Sequence, residues 1–325
     1  MGLVLVCGGF LAAVPPAGEA QAERRPQSPP ADALINRQDV AFTVTNPDDG
    51  AAHRISAYRY DPPCVPNTVV LLLHGPSYTK SLWDVARYSV ARPFAHAGYA
   101  VVAIDRLGYG ASPLEDGRKV SVAAYAEMTR QLVDQLHHQG FFNVVVAAQG
   151  LGAESAEIAG GLSKGIAALL VLGYTHFPSP EFTSDFHSGD VPRSLVADYE
   201  YFLGTPSHRA EMLFTADADP GVVRADSAAA VPTPSGEIQS LFPPPSRAIV
   251  GSITVPVYLQ LAQHDRLFPS QLGRAEAALF RSAPQVVVDV VPAAGHTAML
   301  HPSAGEGTFH LVSWVRNLPV TPPCS

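Results

Sequence analysis

The sequence predicts an α/β domain built on a doubly wound, mostly parallel sheet. Four uninterrupted runs of β-branched residues, leucine and alanine alternate with helix-forming segments, which is the element order of such a sheet. The runs lie at 69–73, 100–104, 144–148 and 167–172. Continuous apolar character is expected for parallel strands that are covered on both faces. A hydrophobic content of 47% with 15% charged residues also indicates a large core.

The remaining elements complete this sheet and interrupt it once. Period-two alternation at 40–45 and 53–60 predicts an antiparallel hairpin ahead of the parallel strands. Further strands are predicted at 255–261 and 285–291, and helices at 81–97, 120–138, 153–162 and 305–317. Between 176 and 252, Pro, Ser and Asp become frequent and only two short helices, 194–203 and 207–214, are predicted. We expect this insertion to form a cap over the strand ends.

These patterns divide the chain into six segments. The predicted boundaries are 1–22 for a signal peptide, 23–38 for a linker, 39–175 and 253–319 for the two parts of the core, 176–252 for the cap and 320–325 for the tail. The apolar run 3–14, followed by small residues up to Ala22, predicts export with cleavage after Ala22 and is too short to span a bilayer. The alternative is a frayed apolar N-terminus.

Cysteine usage agrees with export. Of the 3 cysteines, Cys64 and Cys324 lie beyond the predicted leader, each directly after two prolines. We therefore predict one disulfide that ties the tail to the end of the second strand. A disulfide typically stabilises a protein by roughly 2 to 4 kcal/mol.

Several partner classes are disfavoured by composition. A net charge of −8 without a basic cluster argues against nucleic acid. The 12 histidines show no His-x-x-x-His spacing beside a carboxylate, so no metal site is predicted. The glycines near 108–110 and 150–152 belong to turns, and no cofactor is predicted. A small molecule remains the expected partner, and the oligomeric state is open.

The segment 143–153 carries the most specific signal in the chain. It combines a buried strand, a sharp turn and a helix start, the setting of the Gly-x-Ser-x-Gly nucleophile elbow. Ala148 and Gly152 occupy the two small positions, whereas Gly150 stands where a nucleophilic serine is expected. Asp265 follows one later strand and His296 another, so a carboxylate and an imidazole are available near the turn.

Together these motifs resemble the α/β-hydrolase superfamily over roughly 40–318, most closely its secreted actinobacterial-type branch. The resemblance rests on His-Gly-Pro-Ser-Tyr at 74–78, the Asp-x-x-Gly-x-Gly-x-Ser turn at 105–112, and the elbow. It implies that Asp265 orients His296 as the base. It also implies two oxyanion N–H donors, one from Leu151 and one from position 76.

Two departures from the family pattern concern the same machinery. Gly150 supplies no hydroxyl, and Pro76 has no N–H to donate. A shift of register that lets the Ser77 N–H serve is the alternative for the second departure. For Asp265 and His296 the alternatives are a helix cap or salt bridge and a hydrogen-bonded loop histidine. Pocket-lining candidates are Tyr78, Gln149, Tyr174, His176 and Trp83. For His176 the favoured interpretation is a hinge histidine with ordinary hydrogen bonds, for Trp83 it is core packing, and Asp105 is expected to brace its turn.

Three functional hypotheses follow. The first is an enzyme without a covalent intermediate, in which His296 acts as general base in a cyclisation, elimination, C–C cleavage or water-mediated hydrolysis. The second is an exported serine esterase or lactonase whose nucleophile has been replaced. The third is a non-catalytic binder of a small molecule that has kept the pocket.

Overall fold

One eight-stranded sheet forms the centre of the protein in the computed structural model, which describes residues 35–183, 199–241, 243–319 and 324. We number its strands in chain order: β1 Asn36–Thr45, β2 Ala52–Asp61, β3 Thr68–Leu73, β4 Ala100–Ile104, β5 Asn143–Gln149, β6 Ile166–Leu172, β7 Val257–Ala262 and β8 Val286–Val291. Their spatial order is β1-β2-β4-β3-β5-β6-β7-β8. The pairs β1–β2 and β2–β4 are antiparallel, and all others are parallel. The predicted mostly parallel sheet is confirmed.

Some of the helices pack on this sheet, and others belong to the insertion. In chain order they are α1 Ala91–His96, α2 Val122–His138, α3 Leu151–Leu162, α4 Pro206–Leu213, α5 Pro220–Ala229, α6 Ser235–Gln239, α7 Gly273–Ala277 and α8 Ala304–Asn317. Short 3₁₀ helices lie at Lys80–Trp83, Gly117–Lys119, Pro245–Ala248, Val250–Ser252, Ser270–Leu272 and Ala298–Leu300. The helix α2 packs against α3, and α1 packs against α8. Strands β3 and β4 are completely buried, as their apolar sequences require.

The helix predicted at 81–97 is wrong in its first half. A 3₁₀ turn ends at Trp83, a two-residue hairpin pairs Asp84–Val85 with Tyr88–Ser89, and α1 begins at Ala91. Pro93 explains the late start, because proline is tolerated in the first turn of a helix but breaks its interior. The Asp84 carboxylate then holds the bend by accepting hydrogen bonds from Arg92 at 2.9 and 3.1 Å.

In its described part the insertion carries the short helices α4, α5 and α6. For the helix predicted at 194–203, residues 194–198 lie outside the described residues, and Tyr201–Phe202 is a strand paired with Thr233–Pro234. Two aromatic residues suit an extended segment, which explains the error. Sequence patterning missed α5, although Asp219 as N-cap followed by Pro220 is a regular helix start.

A buried ion pair anchors the cap to the core. The Arg106 guanidinium, after β4, donates to both Glu237 carboxylate oxygens at 2.7 and 3.2 Å, and the Tyr109 hydroxyl donates to the same carboxylate. Arg106 also lies 4.6 Å from the centre of the Tyr125 ring. Since Glu237 belongs to α6, these contacts fix that cap helix against the turn at 105–112.

The chain ends are described only in part. The predicted signal peptide, 1–22, lies outside the described residues, and β1 begins at Asn36, inside the segment predicted as a linker. In the tail, Cys324 forms the predicted disulfide with Cys64, with Cα atoms 6.0 Å apart, and its N–H donates to the Gly98 carbonyl at 3.1 Å. Among the described residues, every helix is too short or too polar to cross a bilayer.

Candidate active site

The turn between β5 and α3 keeps the backbone of a nucleophile elbow. Gly150 has φ 55° and ψ −136°, a left-handed conformation that costs a non-glycine residue roughly 1 to 3 kcal/mol. Its N–H donates to the Leu172 carbonyl at 2.9 Å. A Cβ added to Gly150 would lie 3.3 Å from His296 Nε2. A side chain at position 150 would therefore point at the imidazole of His296, but glycine has none.

Close packing beneath the turn also agrees with the elbow pattern. A Cβ at Gly152 would lie only 2.5 Å from the His74 carbonyl oxygen, so α3 can pass there only with glycine. The His74 ring is held on both sides: Nδ1–H donates to the Gly75 carbonyl at 2.7 Å, and Nε2 accepts from the Arg106 N–H at 3.1 Å. Burial and the nearby Arg106 charge lower the pKa of His74 well below its ordinary value, so the ring is neutral.

Asp265 and His296 form a hydrogen-bonded pair at the ends of β7 and β8. His296 Nδ1 lies 3.0 Å from Asp265 Oδ2. The other carboxylate oxygen accepts from the N–H groups of Leu267 and Phe268 at 2.8 and 3.0 Å. Because a carboxylate only accepts, the pair places the imidazole proton on Nδ1 and leaves Nε2 as an acceptor directed at Gly150.

The carboxamide of Gln149 lies between His296 and Gly75. Its Nε2 lies 3.1 Å from His296 Nε2, and its Oε1 accepts from the Gly75 N–H at 3.0 Å. The Gly75 donor fixes the amide orientation, so the NH₂ group donates to the imidazole. The carboxamide thus makes the hydrogen bond to the base that a serine hydroxyl would make.

The oxyanion side of the site is depleted. The Leu151 N–H opens α3 and so has no intrahelical acceptor, whereas Pro76 has no N–H. Ser77 has φ 59°, its hydroxyl donates to the Pro76 carbonyl at 2.7 Å, and it accepts from the Arg209 guanidinium. Arg209 is itself paired with Asp226 at 2.7 Å. The loop after β3 is therefore fastened to the cap.

A cavity of about 180 Å³ opens between this site and the cap. Its wall is largely apolar and includes Phe182, Phe202, Leu203, Met212, Leu213, Ile238, Leu267 and Phe268. The predicted pocket residues Tyr78 and Gln149 lie in the wall, as do Pro76, Ser77, Leu151 and His296. The Tyr78 hydroxyl pairs with Thr297 Oγ1 at 2.8 Å, and burial raises the pKa of Tyr78.

Two other predicted pocket residues, Tyr174 and His176, do not line the cavity. Both are buried beside α3, where His176 Nδ1 lies 2.8 Å from Glu276 Oε1 and Nε2 lies 2.7 Å from Ser246 Oγ. Packing against α3 turns these side chains inward, which corrects the predicted pocket placement. Sequence patterning missed Glu276 and Ser246 entirely, and the sole available signal was acidic residues on an otherwise small and apolar helix, α3.

Trp83 and Asp105 have structural positions. Trp83 is completely buried in the core. The Asp105 carboxylate accepts from the Lys80 backbone and ammonium groups at 2.7 and 2.6 Å and from the Ala111 N–H at 2.9 Å. These bonds brace the turn after β4, as expected for this residue.

The sheet order, the cap insertion and the elbow define a protein of the α/β-hydrolase class. The model of the alpha/beta hydrolase family matches residues 70–305, and the chain belongs to this family. None of the curated protein sequences matches the chain.

Solved structures show the same fold at low identity. An esterase from Thermogutta terrifontis, with malate bound, has a TM-score of 0.67 at 17% identity, over 85% of this chain and 98% of its own. A putative aryl esterase from Burkholderia cenocepacia has a TM-score of 0.64 at 17% identity, over 85% and 98%. A carboxylesterase from Bacillus subtilis has a TM-score of 0.61 at 17% identity, over 88% and 94%. At this identity the likeness concerns the fold.

Proposed function

We propose that this protein is an α/β-hydrolase-fold enzyme in which the Asp265–His296 pair acts as a general base without a covalent intermediate. The observation that carries the proposal is the combination at the elbow. His296 Nε2 points at Gly150, 3.3 Å from where a Cβ would stand, while the elbow offers no hydroxyl. A base that is oriented by a buried carboxylate retains its chemistry when the nucleophile is absent.

The reaction we propose begins with a proton transfer from substrate or water to His296 Nε2. Asp265 stabilises the imidazolium that forms, because it accepts the Nδ1 proton at 3.0 Å. Substrate entry displaces the Gln149 amide from His296, and this amide and the Leu151 N–H then become donors for developing negative charge. Cyclisation, elimination, C–C cleavage and attack by activated water all fit this arrangement.

The apolar cavity wall selects the substrate class. Phenylalanine, leucine and methionine side chains favour a small, largely apolar molecule with a few polar groups directed at His296. We further propose that the protein is exported, which the Cys64–Cys324 disulfide supports because such bonds persist in oxidising compartments.

The proposal is tested by comparing the wild type with His296→Ala on one substrate panel. The panel contains small apolar lactones, β-hydroxy ketones and esters, and mass spectrometry follows both conversion and covalent adducts. We expect a conversion that depends on His296 and leaves the protein mass unchanged at every time point. A covalent acyl-protein, or equal conversion by both proteins, contradicts the proposal.

Two other functions each have an observation in their favour. A disabled esterase is favoured by the esterase names of the structural neighbours and by the otherwise intact elbow. A non-catalytic binder is favoured by Gln149, which already occupies the base nitrogen of His296. Ligand affinity that is equal in wild type and His296→Ala, with no turnover of any panel compound, identifies the binder.

A further inference from the structure

A second group of ionisable side chains lies beside α3, away from the cavity. It comprises Glu154 and Glu157 on α3, His176 after β6, Ser246 on a 3₁₀ helix and Glu276 on α7. We call these five residues the buried acid cluster. The Glu157 and Glu276 side chains are completely buried, and that of His176 is 1% exposed. The cluster does not contribute to the cavity wall beside His296.

The cluster is short of positive charge. Among the described residues, the carboxylate oxygens of Glu154 and Glu157 and the nearby Tyr174 hydroxyl are buried and have no hydrogen-bond partner. Within the described ranges, the ion pairs of Glu157 and Glu276 are with His176, and no lysine or arginine pairs with either. Burying unpaired carboxylates costs several kcal/mol each. Bound protons or a bound cation must supply the missing charge.

Burial sets the cost that such a cation would offset. The Glu157 and Glu276 carboxylates are both completely buried and lie at opposite nitrogens of the His176 ring. Ser246 lies next to the Glu154 and Glu157 carboxylates but does not reach hydrogen-bond geometry with either. The two α3 carboxylates therefore lie in the interior without a hydrogen-bond partner in the part of the chain that the structure describes.

The spacing of the donor atoms fits one metal ion. Glu157, His176 and Glu276 each offer a ligand atom within 4.8 Å of the others. His176 Nε2 lies 3.5 Å from Glu157 Oε2, and the edge of a tetrahedron with metal–ligand bonds of about 2.1 Å is roughly 3.4 Å. Two atoms that close are therefore placed as neighbouring ligands of a common centre.

The imidazole is already oriented as a ligand. Glu276 accepts from the His176 N–H at 2.7 Å and lies 2.8 Å from its Nδ1, so it fixes the ring and its tautomer. A carboxylate that holds Nδ1–H of a histidine is the usual outer partner of a metal-binding imidazole. Nε2 is left to face Ser246 and Glu157.

We propose that the buried acid cluster binds a divalent first-row transition-metal ion. His176 Nε2 and the Glu157 carboxylate are the ligands, Ser246 Oγ adjoins them and Glu276 orients the imidazole. A set of carboxylates with one imidazole favours Zn²⁺ or Mn²⁺ over Mg²⁺ and Ca²⁺, which prefer oxygen alone. The ion would stabilise the packing of α3 against the Pro245–Ala248 helix and the loop after β6. Because it lies outside the cavity, the proposal does not depend on the proposed catalysis.

Metal content after refolding tests this site. The full chain, with its disulfide intact, is refolded from urea with Zn²⁺, Mn²⁺ or Mg²⁺, desalted, and analysed by inductively coupled plasma mass spectrometry. We expect about one Zn²⁺ or Mn²⁺ per wild-type chain and a Tm about 5 °C or more above that of protein refolded with EDTA. Glu157→Gln binds the ion at least ten-fold more weakly, whereas Glu306→Gln, the same change at an exposed position, binds it normally.

The wild type alone decides the matter if the cluster variant fails to fold. A metal-free wild-type protein whose Tm is the same with Zn²⁺, Mn²⁺ or EDTA overturns the proposal. Equal metal content in the wild type and a folded Glu157→Gln variant also overturns it, because the ion then binds elsewhere.

Discussion

Two imidazole–carboxylate pairs follow strands of the same sheet, yet their surroundings differ. His296–Asp265 lies beside an apolar cavity. Its Nε2 is directed at Gly150 and accepts a hydrogen bond from the side-chain amide of Gln149. His176–Glu276 lies in a sealed interior, with Nε2 directed at Ser246 and at carboxylates. The comparison shows that the pairing itself does not define a catalytic site. We therefore propose chemistry for the pair that lies beside the cavity, and packing or ion binding for the buried pair.

The largest expected contrast is in reaction rate. For whichever panel compound is converted, His296→Ala lowers kcat by about 10²- to 10⁴-fold, because it removes the group that accepts the proton. Asp265→Asn lowers kcat less, since it disturbs only the tautomer and the charge of His296. Steady-state kinetics of Glu276→Gln provide the matched control, with kcat within about three-fold of the wild type. An equal loss of kcat in Asp265→Asn and Glu276→Gln would break the distinction between the two pairs.

The order is reversed for stability. Glu276→Gln leaves one of the two His176 N–H groups that Glu276 accepts without an acceptor in the sealed interior, and it lowers the free energy of unfolding by about 3 kcal/mol. Asp265→Asn costs about 1 kcal/mol, because an amide oxygen can still accept from the Leu267 and Phe268 N–H groups. Urea denaturation of both variants at one pH measures the difference. A greater loss in Asp265→Asn contradicts the structural role given to the sealed pair.

Without a bound metal ion, the buried acid cluster also makes the free energy of unfolding depend on pH. The pKa of Glu154 is about 8 in the folded protein, against 4.5 for an ordinary glutamate. Between these values the folded chain holds a proton that the unfolded chain has released, so the free energy of unfolding falls as pH rises. The slope from this group is at most about 1.4 kcal/mol per pH unit. Urea titrations from pH 5 to 8 with EDTA should show a shallower slope in Glu154→Gln, and an unchanged slope in Glu306→Gln.

Restoring a hydroxyl at the elbow tests whether the His296–Asp265 pair can still support a serine nucleophile. Gly150→Ser should give only weak hydrolysis of aryl acetates. The oxyanion would then accept one backbone hydrogen bond, from the Leu151 N–H, because Pro76 has no N–H. Adding Pro76→Ala returns a second N–H and raises the rate further, by roughly 10²-fold. Release of nitrophenol measures both variants. Full esterase turnover from Gly150→Ser alone indicates a disabled hydrolase instead of a different chemistry.

The smallest expected signal is the absence of labelling by a fluorophosphonate probe. Ser246 has an imidazole 2.7 Å away but is completely buried, so the probe cannot reach it. The hydroxyls of Ser77 and Ser112 donate to the carbonyls of Pro76 and Asp105, and neither has an imidazole partner among the described residues. Intact-mass spectrometry should show the unmodified protein. Stoichiometric labelling of Ser246 would mean that the sealed region opens to solvent, and labelling of Ser77 or Ser112 would mean that another hydroxyl is activated.

Sequence patterns predicted the sheet well, because parallel strands buried on both faces leave uninterrupted β-branched runs. They also brought Gly150, Asp265 and His296 to one place, since parallel strands end at a common edge. The prediction of a helix at 81–97 was wrong in its first half, because the tertiary contact between Asp84 and Arg92 that shapes this segment cannot be deduced from the sequence pattern.

The buried acid cluster could not be predicted in the same way. Glutamates in α3 and α7 have the spacing of ordinary helix-surface residues, and only packing against the loop after β6 shows that they are interior. The direction of His176 depends on the same packing. A residue that follows a strand can turn toward the cavity or into the core, and the sequence does not distinguish these outcomes.

The Cys64–Cys324 bond gives the molecule a closed covalent outline. The two cysteines are 260 positions apart in sequence, and the cap, the elbow, both imidazoles and their carboxylates all lie between them. One cut by a protease anywhere in this ring opens it without releasing a fragment. A nicked protein therefore runs as a single species on a non-reducing gel and as two after reduction. Survival of the protein after damage to an exposed loop becomes a property of its topology as well as of its core.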